Sequence, residues 1–254
     1  MVRGFEMKFK GKKAFITGGT RGIGRAIAKR FAAQGCEMVL NYLDKIDAAQ
    51  ETAGIVKAEG GIAHLLQGNL KDPMDAKRLG KQAVEQLGRI DYFIHCAALG
   101  SFKRTAAIKP NQWDLSMDIN AKSFLVLCQQ VKPVMPNGSS IVALSSSGSN
   151  KVVPNYGAIG ISKAALESLV RYLAVDYIPD GVRVNTVSGG FIDTQSLSAF
   201  PEYERLRDEA AKRTPAGRIG NPDDLASVVE FLCSDESRWI VGQVLLADGG
   251  MSLV

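Results

Sequence analysis

Lys13-Ala-Phe-Ile-Thr-Gly-Gly-Thr-Arg-Gly-Ile-Gly24 joins a short apolar run to a glycine-rich turn and the start of an amphipathic segment. Lys13–Thr17 reads as a strand. Arg25 to Gln34 has helical spacing, with Ile27, Ala28, Phe31 and Ala32 on one face, and Gly35 ends it. Glycines at 18, 22 and 24 let the backbone turn tightly and approach a pyrophosphate, and the helix that begins there offers unpaired N–H groups and a partial positive charge. A glycine-rich turn alone says little. Placed between a strand and a helix, it indicates dinucleotide binding.

The same alternation continues outward. Glu37–Tyr42, Ala63–Gln67, Asp91–His95, Ser140–Ser145, Val182–Val187 and Val244–Ala247 read as further strands. Helical patterns lie between them at Ala48–Ala58, Asp75–Leu87, Trp113–Val131 and in a run ending near Tyr177. Such alternation predicts an α/β, single-domain Rossmann fold over residues 1–254: a seven-stranded, doubly wound parallel sheet with helices on both faces. Residues 195–220 break the rhythm with a polar helix, Glu202–Arg213, between a Gly-rich turn and Thr214-Pro-Ala-Gly217. They are expected to form a substrate flap.

Composition excludes several classes. The chain has 254 residues, 46% hydrophobic and 22% charged, which is globular rather than disordered. No apolar run is long enough to span a membrane, and the first residues lack a signal peptide's apolar core, so a cytoplasmic protein is expected. Four dispersed cysteines (36, 96, 128, 233) and two histidines form no metal-ligand spacing, so no metal is expected. The net charge of +5 favours an anionic partner, but no basic run resembles a nucleic-acid tail, and no nucleic-acid partner is expected.

The second strand decides which nicotinamide cofactor fits. An acidic residue at its end would bind a ribose 2′-hydroxyl and repel a 2′-phosphate. Here it ends Leu40-Asn41-Tyr42, with no carboxylate before Asp44, and Arg21 in the glycine-rich turn can pair with the phosphate. NADPH is therefore the expected cofactor, held by Gly18, Thr20, Arg21, Gly22, Ile23 and Gly24, with Asn41 and Tyr42 near the 2′-phosphate.

Tyr156-Gly-Ala-Ile-Gly-Ile-Ser-Lys163 carries the chemistry. It places a phenol seven residues before an ammonium, close to two helical turns, so both can share one face.

The order Thr17-Gly18-x3-Gly22-x-Gly24, Asn120, Ser146, Tyr156, Lys163 and Asn185-Thr-Val-Ser-Gly-Gly190 resembles the short-chain dehydrogenase/reductase family over nearly the whole chain, down to Gly242–Gly250. That family usually places its tyrosine one turn before the lysine, where this chain has Ile159. Two more departures stand out. His95-Cys96-Ala97-Ala98 replaces Asn-Asn-Ala-Gly, and Gly189-Gly190 replaces Pro-Gly. Pro154-Asn155-Tyr156-x6-Lys163, Ser188-Gly-Gly-Phe-Ile-Asp-Thr194 and Thr214-Pro-Ala-Gly-Arg218 resemble the enoyl-acyl carrier protein reductase branch, and most closely the short bacterial type III. The resemblance implies cofactor contacts at Asn69 and Leu70 beside the adenine, at Cys96, Ala97 and Ala98, and at Gly189, Phe191, Ile192 and Thr194. It implies Tyr156 and Lys163 as the catalytic pair, Ser146 as an assisting hydroxyl, and Asn120 as the residue ordering a helix bulge and a relay water. It also implies a homotetramer and an acyl carrier protein bearing the substrate. Phe191, Ile192 and Phe200 are expected to line an acyl channel, and Lys103, Arg104 and Lys122 to meet the acidic carrier.

The displaced tyrosine has a chemical meaning. Reducing a ketone puts hydride on the carbonyl carbon, and the proton donor must stand beside that carbon's own oxygen. Reducing a trans-2-enoyl thioester puts hydride on C3, and negative charge develops on the thioester oxygen several bonds away. A donor moved nearly one turn towards the helix start suits the second geometry. Ser146 does not separate the two. It lies ten residues before Tyr156, where other enoyl reductases often carry a second tyrosine, and it also matches the serine of ketoreductases. Two alternatives therefore stand beside the enoyl reductase: a 3-oxoacyl-thioester or other carbonyl reductase, and a catalytically silent nucleotide-binding protein.

Overall fold

The structure, a computed structural model, describes residues 7–194 and 203–254. The strands are β1 (Lys13–Thr17), β2 (Glu37–Tyr42), β3 (Ile62–Gln67), β4 (Tyr92–His95), β5 (Ser140–Ser146), β6 (Arg183–Gly189) and β7 (Val244–Ala247). The helices are α1 (Gly22–Ala33), α2 (Ile46–Ala58), α3 (Pro73–Leu87), α4 (Pro110–Met117), α5 (Ser123–Val131), α6 (Gly157–Tyr177), α7 (Tyr203–Arg213) and α8 (Pro222–Cys233). All seven strands run parallel in the order β3-β2-β1-β4-β5-β6-β7. The order reverses between β1 and β4, which opens a crevice at the strands' carboxyl ends.

Both faces of the sheet are covered, as expected of strands that read as continuous apolar runs. On one face α3, α5 and α6 pack Leu79, Phe124, Leu127, Leu166 and Val170 onto Phe15, Phe93 and Ile141. On the other, α1, α2 and α8 pack Ile27, Phe31, Val56, Leu225 and Val229 onto Ile16, Met38, Ile94 and Val142. No described helix is long and apolar enough to cross a membrane.

Two features depart from the reading of periodicity, and a third lies partly outside the described residues. The helix expected over Trp113–Val131 is interrupted by a π-helical stretch at Asp118–Lys122. The helix Pro222–Cys233 was not foreseen, although Asn221 and Asp224 form a reciprocal capping box around Pro222. The flap reading falls partly on residues 195–202, which lie outside the described residues, Phe200 among them. From Tyr203 the chain is helical, and the Tyr203 hydroxyl donates to Asp193 Oδ1 at 2.6 Å.

Candidate active site

The glycine-rich turn is shaped by close backbone approaches. Gly18 has φ +61°, and a Cβ there would lie 2.9 Å from Ala97 Cα. A Cβ at Gly24 would lie 2.1 Å from the Gly18 carbonyl oxygen. These glycines bring the start of α1 against the loop after β4. Across the crevice, Gly22 (φ +49°) faces Thr194, whose Cγ2 is 3.6 Å from the place a Cβ would take. The first turn of α1 has no side-chain cap and no acidic residue. Its first N–H groups lack intrahelical partners and lie in a glycine turn beside Thr194, an arrangement that fits a pyrophosphate.

The end of β2 divides the expected phosphate ligands. Arg25 is held by Glu51, Thr52 and the carbonyls of Thr20 and Ala48, whereas Arg21 is exposed and has no acidic partner among the described residues. Asn41 is buried, and its amide nitrogen donates to the carbonyls of Leu66 (3.2 Å) and Gly68 (3.3 Å). It braces the strand ends, leaving Tyr42 half-buried beside the crevice. Asn69 shapes the next loop, its Oδ1 accepting from Lys71 N at 3.0 Å, and Leu70 is buried behind it.

The replaced Asn-Asn positions are explained by burial. The Thr17 hydroxyl accepts from Ala97 N at 3.3 Å, so its own proton is free for His95 Nδ1 at 3.0 Å. The other ring nitrogen, Nε2, is buried without a hydrogen-bond partner among the described residues. Burial, with a smaller push from Lys163, drives the His95 pKa down to about 3. The Cys96 thiol is likewise enclosed, and burial raises its pKa to about 12 against the opposing pull of Lys163. Neither group is charged near neutrality.

Tyr156 is the residue immediately before α6. Asn155 precedes it with φ +61°, a left-handed conformation that asparagine tolerates better than most residues. The ring lies on Gly148, where a Cβ would come within 2.6 Å of it, and beside Phe102 at 5.8 Å between centroids. Burial raises the phenol's pKa, and the Ser146 side chain near it pulls the other way. Ile159, one turn before Lys163, is 6% exposed and packs against Gly100. Lys163 is 3% exposed, and its ammonium donates to the Leu144 carbonyl at 2.6 Å. Burial lowers the Lys163 pKa to about 8.

Asn120 sits in the π-helical stretch and has its side chain saturated. Its Oδ1 accepts from Leu99 N at 3.0 Å, and its Nδ2 donates to Leu99 O (3.0 Å) and Ser162 Oγ (2.8 Å). It therefore ties the bulge to the loop after β4 and to α6. Gly189 and Gly190 permit close packing: a Cβ at Gly189 would meet Leu225 at 2.8 Å and one at Gly190 would meet Asp248 at 2.9 Å. Ile192 is buried and bridges Gly220, and Phe191 is half-buried beside it. Of the basic residues expected to meet a carrier, Lys122 is paired with Asp118 at 2.5 Å. Lys103 and Arg104 are exposed, and the Lys103 backbone bridges that of Tyr156.

Residues 18–252 match the family model described as enoyl-(acyl carrier protein) reductase. The chain is 38% identical to the 1-cyclohexenylcarbonyl-CoA reductase of Streptomyces collinus over 95% of this chain and 87% of that protein. Two solved structures superpose with TM-scores of 0.90. One is the promiscuous reductase LugOII, which catalyses keto-reduction in lugdunomycin biosynthesis, 31% identical over 96% of this chain and 99% of that one. The other is a short-chain dehydrogenase of Burkholderia cenocepacia in complex with NADP, 29% identical with the same coverage of both chains.

Proposed function

The chain belongs to the short-chain dehydrogenase/reductase family, in its enoyl-(acyl carrier protein) reductase-like branch, and from that premise we propose that it reduces the trans-2 double bond of enoyl thioesters with NADPH in fatty acid synthesis. Its standing as an NAD(P)-binding oxidoreductase follows from the family. The choice of bond rests on one observation. The only phenol on this stretch stands before α6, while the position one turn ahead of Lys163 is a buried isoleucine that cannot donate a proton. The relative from Streptomyces collinus, by its name, also acts on an unsaturated thioester of coenzyme A.

NADPH supplies the hydride. Gly18, Thr20, Arg21, Gly22, Ile23 and Gly24 would hold its phosphates, with Arg21 and Tyr42 at the 2′-phosphate and Asn41 bracing that strand end. Asn69 and Leu70 would flank the adenine. Cys96, Ala97 and Ala98 would line one side of the crevice, and Gly189, Phe191, Ile192 and Thr194 the other. Lys163 would hold the ribose hydroxyls. Hydride addition at substrate C3 moves the double-bond electrons onto the thioester oxygen, and the Tyr156 hydroxyl stabilises that enolate by hydrogen bonding. The Tyr156 hydroxyl would also supply the proton that C2 takes up to give the saturated thioester, and the phenolate would recover its proton from solvent water. Ser146 orients the phenol, and Asn120 keeps the bulge open for a relay water.

The Lys103-Arg104 loop beside Tyr156 is the candidate landing for an acidic acyl carrier. Tyr172 and Val175 on α6, with Trp239, Val244 and Leu246 around β7, are exposed apolar residues suited to the contacts of a homotetramer. A second reading, carbonyl reduction, draws on the Ser146 hydroxyl near Tyr156 and on the keto-reducing LugOII. NADPH oxidation with crotonyl thioester against acetoacetyl thioester decides between them. Turnover of crotonyl thioester is expected. Turnover of the acetoacetyl substrate alone overturns the reading, and NADPH binding without turnover of either supports a silent protein.

A further inference from the structure

Lys163 and Glu167 stand one turn apart on α6, and they reach two successive residues of β5. The Lys163 ammonium donates to the Leu144 carbonyl at 2.6 Å, and Glu167 Oε1 accepts from the Ser145 hydroxyl at 2.5 Å. Glu167 is only 9% exposed, and among the described residues no basic side chain, Lys163 included, is in direct ion-pair contact with it, so any action on Lys163 is through space. A carboxylate so enclosed, with a single hydroxyl partner, needs a compensating charge nearby. Of the two cations one turn from Glu167 on α6, Arg171 is exposed, whereas Lys163 is enclosed and bound only to a neutral carbonyl.

We propose that Glu167 is a positioning residue of the active site: anchored to Ser145, its carboxylate balances the Lys163 ammonium and keeps it directed at the cofactor ribose. The inference rests on the reading of Lys163 as a cofactor ligand, but not on which bond is reduced. The other titratable groups facing Lys163 cannot substitute. His95 is neutral above about pH 3, and Cys96 is a neutral thiol up to about pH 12. The Tyr156 phenol is held neutral by burial. This leaves Glu167, one turn along α6 and anchored on the β5 residue next to the one that Lys163 contacts, as the acidic side chain acting on Lys163. Helical spacing alone does not mark Glu167, because a glutamate one turn after a lysine is usually a solvated surface pair.

The test is a titration of Lys163 in cofactor-free protein carrying lysine labelled with carbon-13 at Cε, with Lys163→Met assigning the resonance. Wild type is expected to titrate near 8. Glu167→Gln keeps the shape and an acceptor for Ser145, and it should lower that midpoint by about half to one pH unit. Glu167→Asp, which keeps the charge, should restore most of it. NADPH affinity of the Gln variant should fall several-fold at pH 8 and converge with wild type well below it, where Lys163 is protonated in both. If the Gln variant does not fold, Glu167→Met carries the same expectation. An unmoved Lys163 midpoint with a lowered melting temperature makes Glu167 a structural brace and overturns the proposal. Failure of crotonyl reduction would leave this titration untouched, so the two readings fail separately.

Discussion

Tyr156 owes its place to three neighbours: left-handed Asn155 before it, Gly148 beneath its ring, and the Ser146 hydroxyl at its phenol. Tyr156→Phe keeps the ring on Gly148 and removes only the donor. It is expected to lower kcat about 10²–10³-fold while leaving the NADPH dissociation constant within about twofold. Steady-state kinetics and fluorescence titration of NADPH check both halves, and an unchanged kcat removes Tyr156 from the mechanism. At this scale the sequence was informative where spacing dictates chemistry. The glycine turn, Arg21, Tyr156 and Lys163 all lie where their spacing placed them along strand ends and helix starts. It was uninformative where orientation matters. Asn41 reads as a phosphate ligand, yet its amide is turned onto the carbonyls of β3 and its end, and Glu167 reads as surface until α6 is packed on β5.

The bulge between α4 and α5 lies at Asn120, where the family resemblance implies it, but periodicity alone does not show it. From Trp113 to Ala121 apolar and polar residues alternate, and Phe124–Cys128 is continuously apolar, so one i→i+5 turn leaves no distinct mark in the pattern. Only Asn120, whose amide satisfies both backbone groups of Leu99, marks the place. The missed helix α8 is different, because its signals were present: a capping box at Asn221 and apolar positions at Leu225, Val229 and Leu232. Its far end is held by Arg183, at the start of β6. That buried guanidinium donates to the carbonyls of Leu232, Ser234 and Ser237 and to the Ser237 hydroxyl. Burial lowers the Arg183 pKa, a sign that neutral acceptors and not a carboxylate satisfy it. Arg183→Met leaves these helix-end carbonyls without their donor. It is expected to cost about 3 kcal/mol of stability in urea unfolding, with the m-value retained. A loss under about 0.5 kcal/mol would show that water replaces the guanidinium.

Across the molecule, β1 and β4 meet at the reversal of strand order, and the buried His95 ties that seam together through Thr17. His95 has a pKa of about 3 in the folded chain against an ordinary value of 6.5. Between those values the unfolded chain binds the proton and the folded chain does not. The neutral ring's contribution is therefore complete above pH 6.5 and is lost as pH falls towards 3. From pH 7 to 4.5 this should remove about 2–3 kcal/mol from the unfolding free energy beyond what His95→Asn loses over the same range. Equal losses in the two proteins would show that the ring charges without unfolding. The same seam places the glycine turn of β1, the 96–98 loop of β4 and the Tyr156–Lys163 helix around one crevice, and the assignment of the reduced bond depends on that convergence. The most direct test follows the hydride. With NADPH deuterated at the transferring position of C4 and crotonyl thioester as substrate, the account predicts butyryl thioester carrying deuterium at C3. No deuterium transfer to crotonyl thioester, with deuterium appearing instead on the carbinol carbon formed from acetoacetyl thioester, would contradict it.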